Sequence, residues 1–119
     1  MDPRHIQRIK TIQNLFAYSF DQKNNLPFPQ DAKTKKIITK LKTIDTMVKQ
    51  YAPRYPLPNI AKGDLAILRL SIYELIYEKK TPHKVIIDEA IELAKELSGE
   101  KSYAFINAVL GKILNHKNK

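Results

Sequence analysis

An all-helical bundle is the fold class that this sequence predicts, and three observations predict it. The stretch Asp64 to Glu78, DLAILRLSIYELIYE, is apolar nearly all round, with Leu65, Ile67, Leu68, Leu70, Ile72, Leu75 and Ile76 joined by Tyr73 and Tyr77. A helix of that kind is buried on several sides. It is expected at the centre of the domain, with Asp64, Arg69, Ser71, Glu74 and Glu78 facing water, a partner or one another. The segments on either side place their apolar residues at helical intervals. Finally, 119 residues without a cysteine make one domain with a self-sufficient core and no disulfide or thiolate metal site.

In chain order, Asp2-Pro3 starts the first helix, with Asp as N-cap and Pro at the first helical position. Ile6, Ile9, Ile12, Phe16 and Phe20 form its apolar stripe, and Leu15 lies off the edge. Residues 21–32, DQKNNLPFPQDA, carry Asn24-Asn25 and two prolines and read as a loop. A second helix is expected from Ala32 to Tyr51, because Ile37, Leu41, Ile44, Val48 and Tyr51 keep the spacing of a bundle helix. Lysines coat the rest of it.

Pro53, Pro56 and Pro58 stop that helix and make a stiff connector, PRYPLPNI, followed by a short turn over Asn59 to Lys62. The central helix then ends at Lys79 and Lys80, which suit its dipole. Thr81-Pro82 repeats the cap-then-proline signal, and Ile87, Ala90, Ile91, Ala94 and Leu97 predict the buried stripe of the next helix. Glu89, Glu92, Lys95 and Glu96 fall outside that stripe, and Ser98-Gly99 closes the helix. Ser102 opens the last helix, which turns Phe105 or Ile106, Val109 or Leu110, and Ile113 inward. The polar tail NHKNK is expected to fray.

Charge bounds the partners. Lys and Arg number 21 against 12 acidic residues, a net charge of +9, and residues 1–49 carry +6 of it. Such an excess favours polyanions, nucleic acid before an anionic membrane surface, although a lysine-rich surface also serves solubility alone. No signal pattern or spanning run interrupts the chain, so a soluble protein is expected, and the lack of cysteine fits a reducing cytoplasm.

No catalytic constellation emerges: His5, His83 and His116 lie on different elements, and the three glycines are isolated. A non-enzyme without cofactor or metal is expected. Binding fits better. Arg4, His5 and Arg8 cluster on one flank of the first helix and offer phosphate contacts. Tyr103 and Phe105, beside Lys101, offer stacking surfaces of the kind that hold single-stranded RNA. Phe105 at this spacing is equally a core residue.

The run DLAILRLSIYEL, then PHKVIIDEAIELAKELSGEKSYAFINAVLGKIL, resembles the C-terminal half of the transcription antitermination factor NusB family over about residues 60–115. There an acidic residue precedes an ILR-x-A-x-YEL helix, followed by a VAINEAVELAK helix and FVNGVL. The opening RHIQRIKTIQNLFAY is similar to the family's Arg-rich start and A-x-Q-A-L-Y run. The resemblance implies an all-helical fold of two packed halves, here residues 1–58 and 59–116. It also implies pairing with a small-subunit ribosomal protein, NusE, binding of single-stranded boxA-type RNA, and work within the RNA polymerase antitermination complex.

Carried over residue by residue, the resemblance places Arg4, His5, Arg8, Gln13, Phe16, Lys101, Tyr103, Phe105 and Asn107 at the RNA surface and Asp64 at the ribosomal partner. Several positions depart from the family pattern. Ile6 stands where Arg is common, Lys101 where an acid is common, Ala108 replaces the glycine of NGVL, and Asp88 replaces the asparagine of INEA. Residues 21–35 are too short for the family's second helix, so a shortened N-terminal half with two full helices is expected. Two other readings stand beside an RNA-binding factor. One is an interaction module that has kept the fold without sequence-specific RNA binding; the other, ranked last, is part of an RNA-modifying enzyme. Whether the free chain forms a homodimer stays open.

Overall fold

The computed structural model describes residues 2–21, 25–99 and 101–117, so Asn24 of the expected loop and the last two tail residues lie outside the described residues. Six α-helices run through them: α1 Pro3–Phe20, α2 Ala32–Thr39, α3 Leu41–Tyr51, α4 Lys62–Tyr73, α5 His83–Leu97 and α6 Ser102–Lys117. No strand occurs among the described residues, and none of their helices is long and apolar enough to cross a membrane. The fold is all-α.

The apolar stretch sits where its composition requires. Residues 64–73 of α4 are all buried, and α4 packs against α1, α2, α3, α5 and α6. Beyond Tyr73 it widens into a π turn, Glu74–Glu78, closed by Lys79 in the left-handed conformation at φ 58°. The polar residues that interrupt α4 neither face water nor pair with one another. Arg69 forks onto Asp45 of α3, with Nε to Oδ1 at 3.0 Å and Nη2 to Oδ2 at 2.9 Å. Glu74, 2% exposed, takes a similar fork from Arg8 of α1. Burying a charge is costly unless a partner meets it, so Arg69 and Glu74 each mark a latch to a neighbouring helix.

The inward face of α1 differs from the expected stripe. Arg8, Thr11, Ile12, Asn14 and Leu15 are buried, whereas Ile6, Phe16 and Phe20 are 41%, 43% and 64% exposed. Polar side chains with partners turn the helix: Asn14 donates from Nδ2 to the Phe28 carbonyl and to Thr34 Oγ1, both at 2.8 Å, and accepts from the Phe28 N–H. Asp31, the N-cap of α2, accepts from Thr11 Oγ1, Thr34 Oγ1 and Gln7 Nε2. Burial raises the Asp31 pKa, but these hydrogen bonds outweigh it and leave the carboxyl below its ordinary value. The loop is thereby stitched to α1. The N-cap expected at Asp2 is present, its Oδ1 accepting from the Arg4 N–H at 2.9 Å.

The helix expected over 32–51 is two helices, so the N-terminal half holds three. Lys40 breaks it at φ −109°, ψ 5°, donating to Ile37 O at 2.9 Å. Thr39 Oγ1 donates to the Lys36 carbonyl at 2.6 Å, a local bond that competes with helix propagation. Ile37 and Ile44 still both reach the core, and their spacing hides the break. In α5 the buried face is Ile86, Ala90, Leu93 and Ala94, with Ile87 and Ile91 half-buried and Leu97 exposed. Pro82 is its N-cap position, with no side-chain cap from Thr81. Gly99, at φ 137°, bends the chain away after α5. α6 buries Ile106, Val109, Leu110 and Ile113. It runs on through Asn115, His116 and Lys117, part of the tail expected to fray, and Lys117 Nζ donates to the Leu75 carbonyl at 3.0 Å.

Candidate nucleic-acid interface

The expected contact residues fall into two groups at opposite ends of α4. Arg8 binds Glu74 near its C-terminal end, while Lys101 and Phe105 line a cavity with Asp64 near its start. Ten residues of helix separate them, about 15 Å along the axis.

In the α1 group, Arg8 is 8% exposed and committed to Glu74, Nε to Oε2 at 3.0 Å and Nη2 to Oε1 at 2.8 Å. The hydrogen bond to Glu74 raises its pKa. Lys33 reaches the same carboxylate at 3.8 Å and Glu78 at 3.1 Å. His5 is clamped between two carboxylates of α5, with Nδ1 on Glu89 and Nε2 on Glu96 at 2.8 Å. The hydrogen bond to Glu89, then that to Glu96, holds its pKa above the ordinary 6.5, against a smaller effect of burial. The acids sit on opposite ring nitrogens, so this trio holds an imidazolium and does not converge on one point as metal ligands would. Among the described residues no group fit for a metal occurs. Arg4, by contrast, is exposed. It lines a cavity of about 250 Å³ with Arg8, Lys33, Glu74 and Lys80. Of the expected cluster, Arg4 is the side chain turned to solvent.

Farther along α1, Gln13 is exposed and Phe16 meets Phe20 edge to face at 5.0 Å. Lys62 of α4 lies 5.2 Å from the Phe20 ring, a cation–π contact that was invisible in the sequence because 42 positions separate the pair.

The second group forms where α4 and α6 begin. α4 comes so close to the end of α5 that a Cβ on Gly63 would meet Ser98 Oγ at 3.0 Å. Asp64, 8% exposed, keeps an Oδ1 without a hydrogen-bond partner among the described residues, beside a cavity of about 240 Å³ shared with Asn59, Lys101, Ser102 and Phe105. Phe105 is half-buried and its ring meets Tyr55 edge to face at 5.0 Å. It therefore packs against the core and leaves part of its surface accessible. Tyr103 is 39% exposed, with Lys95 Nζ 5.1 Å from its ring. Asn107 is exposed. Helix α5 links the groups, since Glu96 holds His5 and the adjacent Lys95 meets Tyr103. Tyr55 was missed. Three prolines in PRYPLPNI marked the segment as a spacer, and the aromatic residue within it was the available signal.

Comparison with known proteins agrees with this architecture. Residues 30–115 match the NusB family. The transcription antitermination protein NusB of Finegoldia magna is 37% identical over 106 residues, covering 89% of this chain and 77% of that protein. The NusB of Treponema denticola is 35% identical over 109 residues, covering 87% and 80%. That of Acetivibrio thermocellus is 47% identical over 74 residues, 62% of this chain and about half, 51%, of the relative's own length. Among solved structures, T. maritima NusB superposes with a TM-score of 0.79 at 32% identity, covering 94% of this chain and 90% of that one. A chain in the crystal structure of a plectonemic RNA supercoil superposes at 0.86 with 19% identity, covering 100% and 99%, a likeness of fold.

Proposed function

The chain belongs to the NusB family, and from that premise we propose that it is an RNA-binding transcription antitermination factor. Its ligand is single-stranded boxA-type RNA in ribosomal transcripts, taken jointly with the small-subunit ribosomal protein NusE. The observation that carries the reading is the start of α6, where exposed Lys101 and Tyr103 and half-buried Phe105 put a cation and two rings on one rigid helix end. Single-stranded RNA is held by that combination of phosphate contact and stacking. Arg4 and Gln13 on α1, Phe16 beside them and Asn107 on α6 extend the surface. His5 and Arg8 serve it as struts, because their charges are already met by Glu89, Glu96 and Glu74.

Asp64 is the ribosomal-protein contact in this reading. Its buried, unpartnered Oδ1 has the most to gain from an incoming donor, since an unsatisfied buried acceptor costs about 1–3 kcal/mol. Asp64→Ala, which removes the acceptor, therefore weakens the complex with NusE and spares binding of RNA by the chain alone. Phe105→Ala tests the RNA surface: it lowers affinity for a boxA-like oligonucleotide about tenfold, within the usual loss for one stacked base. Wild-type affinity in that variant, read by fluorescence anisotropy, contradicts the assignment.

One observation favours a second reading, an interaction module without sequence-specific RNA binding. Two of the three expected α1 phosphate ligands are engaged inside the protein. Equal binding of boxA-like and scrambled RNA supports that alternative.

A further inference from the structure

The proline-rich connector between α3 and α4 forms one wall of a groove whose other wall is α6. Arg54, Tyr55, Lys101, Phe105 and Lys112 line it, with a volume of about 440 Å³. Its three cations enter no ion pair with the carboxylates of the described residues, and no carboxylate among those residues lines the groove. Among the described residues this groove presents cations and no acid, an arrangement that favours an anion. Its apolar content is aromatic at the rim. Tyr55 is 53% exposed, and its ring is propped edge to face against Phe105 at 5.0 Å.

The connector is stiff. The Tyr55 N–H donates to Ala52 O at 3.0 Å, and the Asn59 N–H to Pro56 O at 2.8 Å. Pro53 lies in the first of these turns and Pro56 and Pro58 in the second, and each fixes its own φ. Tyr55 is thus held out to solvent by a backbone with little freedom left to lose, which lowers the entropic cost of binding. A large ring left half exposed on a rigid mount, flanked by cations that pair with no carboxylate among the described residues, matches how single-stranded nucleic acid is bound: phosphates on the cations, a base on the ring.

We infer that the connector is an RNA-binding element in its own right, with Tyr55 a base-stacking platform and Arg54 and Lys112 phosphate contacts on either side of the Lys101–Phe105 end of α6. This inference rests on the RNA-binding reading above and extends its surface to residues outside the α1 and α6 groups.

The test is fluorescence anisotropy of the full chain on a boxA-like RNA and a scrambled control. Tyr55→Ala is expected to weaken boxA-like binding about tenfold, and Tyr55→Phe, which keeps the ring, to retain it. Arg54→Ala with Lys112→Ala is expected to flatten the dependence of log affinity on log salt by roughly 1.4, the share of two single-strand phosphate contacts. Because Tyr55→Ala also removes a neighbour of Phe105, the wild-type chain is photocrosslinked to the same RNA carrying 4-thiouridine, with an adduct expected on the peptide containing Arg54 and Tyr55. If Phe105→Ala weakens binding while Tyr55→Ala and the double variant match wild type and no adduct forms there, the connector proposal is overturned and the RNA-binding reading stands. If the wild-type chain binds both RNAs equally, both are overturned.

Discussion

Arg8 and His5 look alike in the sequence, two basic residues on one flank of α1, yet their surroundings give them different physics. Arg8 is buried in a forked pair with Glu74. Removing one partner of such a pair strands the other charge in the core, at a cost of about 3–5 kcal/mol. Arg8→Ala is therefore expected to lower stability by about that amount in urea denaturation; a loss below about 1 kcal/mol, the ordinary value of an exposed pair, contradicts the buried-latch account. His5 is held as an imidazolium by Glu89 and Glu96, and its pKa is raised in the folded state. Its contribution is fully present below the unfolded value near 6.5 and is lost as pH rises through the higher folded value. The stability advantage of wild type over His5→Gln should thus shrink as pH is raised above 6.5. A difference that is flat across that range, or grows with pH, refutes the clamp.

At the scale of elements, α4 touches every other helix, so damage there spreads. Leu68 is fully buried in it, and Leu68→Ala is expected to cost about 2–5 kcal/mol, measured as a lower denaturation midpoint. A cost under about 1 kcal/mol would mean that α4 is not the packed centre. This helix was the most legible element, because a segment apolar all round has no amphipathic face to misassign. α1 was less legible. Its Ile6, Phe16 and Phe20 suggested a stripe, but the inward face is decided by Thr11 and Asn14, whose partners Phe28, Asp31 and Thr34 lie in the loop, cap and first turn of α2, where periodicity cannot reveal them. The break at Lys40 was hidden because the apolar spacing carries through it. For the candidate site, residue type found Lys101, Tyr103 and Phe105 on the surface at the start of α6. It could not find Tyr55, whose significance comes from packing against Phe105 across 50 positions.

For the whole molecule, the charge of +9 attracts any polyanion, and attraction alone carries no sequence preference. Specificity has to come from rings and hydrogen-bonding edges held in place, and in the proposed reading α4 is the element that holds them. One end of it anchors α1 by way of Glu74, and Asp64 at the other lines a cavity with Lys101 and Phe105. On this account the RNA surface is a track over several elements, completed on one side by a second protein. The most direct measurement is titration of the chain into boxA-like and scrambled RNA, each with and without NusE, at one fixed salt concentration. The account predicts tighter binding of the boxA-like RNA, with the margin widening when NusE is present. Equal affinity for the two RNAs under both conditions would contradict it.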